Sequence, residues 1–194
     1  GPDLVYLPER TFDADEFISS VKKALDKHPA VLVAVSEGVR FADGEYVGAG
    51  SQSGATDVFG HKYLSGTGKV LESIVKERLG CKVRSIELNV LQRGSGHILS
   101  KDDIDSAFEI GRAAVNAACS GISGKMMIFL RTDKEDYEYS ISHCDLDMVA
   151  NFEKKFPLDW IVPEGNNVTD EAIKYLKPLI KGETATPMKD GLPF

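Results

Sequence analysis

Cysteine is scarce in this chain. Cys81, Cys119 and Cys144 are widely spaced, with no CxxC among them, which argues against a disulfide framework or a zinc site and fits a reducing cytoplasm. No apolar run approaches the ~18 residues of a membrane span, and no secretory pattern opens the sequence. Tryptophan occurs once, at Trp160, and there are no internal repeats or low-complexity tracts. Positive charge is outnumbered, 23 Lys+Arg against 30 Asp+Glu for a net charge of −7, which disfavours nucleic acid or an acidic membrane as partner. Any anion must therefore be held by a local cluster.

What is present reads as alternating strands and helices. The 194 residues suit one domain, 1–194, with an irregular extension over about 145–194. Gly1-Pro2 runs straight into LVYLPE, as though the sequence had been cut from something longer or carried a protease scar. Leu4 to Leu7 is a short strand ended by Pro8, with Glu9 at the turn into a loop. Asp13 and Glu16 have capping-box spacing before the periodic Phe17, Ile18, Val21 and Leu25, predicting a helix over 14–27, with His28 as partner of its C-terminal dipole. Val31 to Val35 is a continuous apolar run that suits a buried parallel strand.

Residues 39–68 carry seven glycines without periodicity and read as a long loop, in which Asp57, Gly60 and His61 are either a polar site or structural. Val70, Leu71, Ile74, Val75 and Leu79 predict a helix stopped by Gly80. Val83 to Leu88 then reads as a buried strand opening into a loop at Gly94-Ser95-Gly96-His97. Arg84 and Arg93 flank this run, and guanidinium groups beside flexible glycines at a strand's carboxyl end suit a phosphate ester. The same spacing also fits two surface charges.

Ser100 starts a helix whose face is Ile104, Ala107, Phe108, Gly111, Ala114, Val115 and Ala118, small enough for close approach to a sheet. Met126 to Leu130 is a short buried strand, YEYSIS from Tyr137 an antiparallel or edge strand, and Thr169 the cap of a short final helix. The alternation predicts an α/β fold, a three-layer α/β/α arrangement with a mainly parallel sheet.

Several of these runs together resemble a known family. VYLPE, AVLVAVSEG, DVFGHKYLSGTG, VRSIELNVLQRGSGH, the helix after SKDD and the strand MMIFLR, in that order, are similar to the C-terminal half of 6-phosphofructokinases. ANFEKKFPLDWI followed by GNNVTDEAIKYLKPLIKGE resembles the ending of the pyrophosphate-dependent members. The resemblance implies one half of the two-domain phosphofructokinase fold, the half that binds fructose 6-phosphate.

It also implies roles. Glu9 stands at the place of the acid that contacts the sugar hydroxyls, Arg93 at that of the arginine that holds the 6-phosphate, and Arg84 at that of an arginine reaching a neighbouring subunit's site in a homo-oligomer. Two departures stand out: the histidine of the ATP-dependent pattern is replaced by Val90, leaving His97 as a possible substitute, and Gly94-Ser95-Gly96 replaces the usual Gly-Gly pair. The family's glycine-rich donor motif, its TIDxD stretch with the catalytic aspartate and its MGR motif precede this portion and are not found here. Pyrophosphate and Mg²⁺ are accordingly expected to bind in that other half, leaving this segment without a catalytic residue and inactive alone. An ATP-dependent enzyme and a non-catalytic sugar-phosphate module are the alternatives, separated by the upstream motif: GGDD for pyrophosphate, GGDG for ATP, neither for the module.

Overall fold

The first link in the fold is a right-length crossover: β1 (Leu4–Tyr6) leads through α1 (Ala14–Leu25) to β2 (Val33–Val35), which pairs with β1 in parallel, Leu4 opposite Val33. The computed structural model describes residues 1–49, 66–132, 137–185 and 187–193. These form two compact units, Gly1–Leu88 with Lys155–Ala172, and Asn89–Lys154 with Ile173–Phe194.

In the first unit α1 begins as expected. The Asp13 carboxylate accepts hydrogen bonds from the backbone N–H of Asp15 and Glu16, at 2.8 and 2.9 Å, satisfying two of the donors that a helix start leaves open. α2 (Thr67–Leu79) ends at Gly80, whose φ of 67° is the left-handed conformation that favours glycine. Phe17 and Val21 of α1 and Leu71 and Val75 of α2 pack with Leu4, Tyr6, Phe12 and Val39 into one buried core. Tyr6, Phe12 and Phe17 form an aromatic triangle with centroids 5.4–5.6 Å apart. His28 lies 3.9 Å from the Asp3 carboxylate, so its nearest ionic partner is a side chain.

Residues 155–172 are woven into this unit. The Val5 N–H donates to Asn166 O at 2.9 Å, Asn167 Nδ2 to Asp3 O at 3.2 Å, and Arg10 Nη2 to Pro163 O at 2.9 Å. The edge of β1 away from β2 thereby finds its partner. Thr169 does not cap the next helix, α5 (Asp170–Leu176); its hydroxyl is buried with no hydrogen-bond partner among the described residues.

Three expected strands differ from the reading, the first being β2, which pairs in parallel as expected but is only half-buried, with Leu32 and Ala34 exposed. Val83 to Leu88 forms no ladder among the described residues, and Ile86 and Leu88 are exposed. Its Ser85 is held instead by Glu72, whose Oε2 accepts from Ser85 N at 2.9 Å and Ser85 Oγ at 2.6 Å. A strand exists only through its neighbour, and here a carboxylate takes the N–H that a neighbour would take. These bonds, with that from Lys69, hold the Glu72 carboxyl down at about 2. A depressed carboxylate stabilises the fold above its ordinary pKa, and that contribution fades as pH falls from about 4.5 through about 2. An NMR titration should place Glu72 in that range, with Ser85→Ala raising it toward normal; an unchanged value in the variant would refute the link.

The second unit holds α3 (Asn89–Gly94), α4 (Lys101–Cys119) and an antiparallel hairpin of β3 (Lys125–Arg131) and β4 (Tyr139–Asp145), Lys125 opposite Asp145. A short ladder joins β5 (Met188–Lys189) to β6 (Leu192–Pro193). Ser100 precedes α4 as expected, yet its Oγ donates to Lys181 O at 2.8 Å while the N–H groups of Lys101 and Asp102 reach Gly182 O and Lys181 O. Gly182 permits this approach: its φ is +75°, and a Cβ there would stand 2.7 Å from Lys101 Cβ. β3 was expected to be buried, but Met126, Phe129 and Leu130 are exposed. Among the described residues parallel pairing joins β1 to β2 and, as an isolated bridge, Thr11 to Arg40, while the other two ladders are antiparallel.

Candidate functional site

Glu9 follows β1 by three residues, where Pro8 ends the strand. Its Oε1 accepts the Phe156 N–H at 2.8 Å, while Oε2 is buried with no partner among the described residues. One oxygen is thus anchored and the other left with its acceptor capacity open, an arrangement that marks a place for a donor from elsewhere. Glu9 lines a depression of about 350 Å³ in the first unit, together with Arg10, Asp13, Glu16, Ser20 and Glu164. Tyr6 also reaches it, and burial pushes its hydroxyl above the ordinary tyrosine range. Asp13 and Arg10 are already engaged, the first as a helix cap and the second on Pro163 O. The pocket is rich in carboxylate, so it favours hydroxyl donors over anions.

Arg84 also belongs to the first unit, on the unpaired segment 81–88, where it is exposed and is not among the residues lining the Glu9 depression. Arg93 belongs to the second unit, in the last turn of α3, also exposed. It was expected in a loop at a strand's end; a short helix stands there, opened by Asn89 at a φ of 33°. Neither arginine forms an ion pair with a described residue. His97 lies in a 3₁₀ turn, Gly96–Ile98, and is exposed, as is Val90. Asp57, Gly60 and His61 lie outside the described residues.

Nothing in the sequence points to Phe156 as the anchor of Glu9, since 147 positions separate them and a backbone N–H carries no residue signature. Among the described residues no three His, Cys, Asp or Glu side chains converge as a metal site. No described helix is long and apolar enough to cross a membrane.

The chain is 40% identical over 190 residues to the pyrophosphate--fructose 6-phosphate 1-phosphotransferase of Methylococcus capsulatus, covering 98% of this chain and 44% of that protein. It is 37% identical over 192 residues to the protein of the same name from Halomonas elongata, covering 99% of this chain and 45% of that one. The crystal structure of a pyrophosphate-dependent phosphofructokinase from Nitrosospira multiformis superposes with a TM-score of 0.81 at 35% identity, covering 98% of this chain and 43% of that chain. No family model matches. The chain is a segment of the phosphofructokinase family, with the α/β fold that family shares. Within the family its likeness is to the pyrophosphate-dependent members, and it spans less than half the length of the curated relatives it matches.

Proposed function

We propose that this chain is the fructose 6-phosphate-binding half of a pyrophosphate-dependent 6-phosphofructokinase, which moves a phosphoryl group from diphosphate to the sugar phosphate in glycolysis. The observation that carries this is the buried Oε2 of Glu9 in its depression, without a hydrogen-bond partner among the described residues, at the position where the family resemblance puts the acid that meets sugar hydroxyls. Arg93 holds the 6-phosphate, and Arg84 serves the site of a neighbouring subunit in a homo-oligomer; their guanidinium groups, which form no ion pair with a described residue, support both roles. Mg²⁺ and pyrophosphate bind in the portion that the relatives have and this chain does not span. The whole enzyme works in the cytoplasm.

Phosphoryl transfer requires donor, metal, base and acceptor in one place. The 194-residue chain with Mg²⁺, pyrophosphate and fructose 6-phosphate should therefore show no turnover above background. In a full-length enzyme carrying it, Glu9→Gln should raise KM for the sugar phosphate roughly tenfold, the effect of losing a charged acceptor for a hydroxyl, and leave KM for pyrophosphate unchanged. Turnover by the chain alone, or unaltered sugar-phosphate kinetics in the variant, would overturn this reading.

A further inference from the structure

Glu9 and Arg10 are neighbours in the chain, and both grip the same distant stretch of the first unit. Glu9 Oε1 accepts the Phe156 N–H at 2.8 Å, and Arg10 Nη2 donates to Pro163 O at 2.9 Å. Between those points the stretch passes through a 3₁₀ turn, Leu158–Trp160, and then bends, with the Gly165 N–H on Val162 O at 2.8 Å. Leu158, Pro163, Glu164 and Gly165 form one wall of the depression that Glu9 lines. The stretch is thus a strap that supplies both a wall of the site and the anchor of its carboxylate.

The far end of this strap is tied elsewhere: Asn166 O accepts the Val5 N–H at 2.9 Å, Asn166 Nδ2 donates to Ser20 Oγ at 2.9 Å, and Asn167 Nδ2 to Asp3 O at 3.2 Å. Its near end is held by Glu9 and Arg10. Arg10 is half-buried, and Gly165 leans on it: at a φ of +71°, a Cβ there would stand 3.8 Å from Arg10 Nε and 3.9 Å from its Cβ and Cγ. The bend therefore rests along the arginine stem while Pro163 takes a donor from its tip.

A carboxylate whose two oxygens have different tasks must be held against rotation. The Phe156 N–H on Oε1 sets where the buried Oε2 stands, so a strap that moves carries the carboxylate with it. Arg10 limits that movement, since a guanidinium on a carbonyl is a charge-assisted bond and a planar fork loses little freedom in making it. We infer that Arg10 is a positioning residue for the sugar-phosphate site: through Pro163 O it holds the strap, and through the Phe156 N–H the strap holds the Glu9 carboxylate toward a sugar hydroxyl. Ligand-contacting groups keep their geometry through supporting contacts of this kind. Arg10 is not a phosphate ligand, because Glu9, Asp13, Glu16 and Glu164 line the same depression and oppose an anion there.

The inference rests on the assignment of Glu9 to the sugar, and the test separates the two. In a full-length enzyme carrying this chain, Arg10→Met keeps an unbranched stem and removes the donors. It should raise KM for fructose 6-phosphate roughly five- to tenfold, approaching the effect of Glu9→Gln. Both kcat and KM for pyrophosphate should stay within about twofold of the parent's, the pattern of lost uniform binding. KM does not depend on how much of the enzyme is folded, so lower yield of the variant would not mimic this result. The deciding measurement is the double variant: adding Arg10→Met to Glu9→Gln should change KM by less than about twofold, because residues that act through one another are not additive. Effects that multiply would mean that Arg10 acts independently of Glu9 and would overturn the inference. So would a parental sugar-phosphate KM in Arg10→Met, and if Glu9→Gln is impaired in the same assay, Glu9 keeps its role. A parental KM in Glu9→Gln would remove Glu9 from the site and this inference with it.

Discussion

Phe17→Ala should destabilise the first unit by about 3–5 kcal/mol, the range for removing a buried aromatic side chain. Phe17 is 2% exposed and sits edge-on to Tyr6 at 5.4 Å and tilted against Phe12 at 5.5 Å. The change removes both ring contacts and leaves a void that α1 and β1, tied by the Asp13 cap and the β1–β2 ladder, cannot easily close. Phe17→Leu should cost less, about 1–2 kcal/mol, since much of the volume remains. Since domains hold only about 5–15 kcal/mol in total, the alanine variant should be partly unfolded at ordinary temperature. Trp160, the sole tryptophan, belongs to the first unit and packs on Phe156 at 5.7 Å, so its fluorescence in a urea titration reports the right transition. A midpoint within experimental error of the parent would mean that Phe17 is not part of the core.

The features that the sequence disclosed well are those set by neighbours along the chain. The Asp13 cap, the stop at Gly80, and the limits of α4 between Ser100 and Gly121 depend on residues within a turn of each other. Misread features depend on a distant partner. Val83 to Leu88 has the composition of a strand, but composition cannot supply the neighbouring strand, and Glu72 takes the Ser85 N–H instead. For α4 the apolar stripe was identified residue by residue, yet Phe108 and Val115 on it are exposed: periodicity says which face is apolar and not which body covers it. At the candidate site Glu9, Arg84 and Arg93 were singled out through family motifs. The Phe156 N–H that fixes Glu9 was not, because a backbone donor comes with any residue but proline.

Arg93→Ala, in a full-length enzyme carrying this chain, should raise KM for fructose 6-phosphate by roughly 30- to 150-fold, the equivalent of about 2–3 kcal/mol for a lost charge-assisted contact to phosphate. Arg93 is exposed and makes no ion pair with a described residue, so truncation strands no buried partner and should change stability by less than about 0.5 kcal/mol. The 6-phosphate takes no part in bond making at the other end of the sugar. Its binding is equally strong in ground and transition states, and kcat should fall little. Arg93→Lys separates charge from shape: an ammonium keeps the attraction but cannot present two parallel N–H donors, so its KM should lie between those of the parent and alanine enzymes. Pyrophosphate should bind both variants as it binds the parent. A sugar-phosphate KM unmoved by Arg93→Ala would remove Arg93 from the site, and a pyrophosphate KM rising in step would move it to the donor's side.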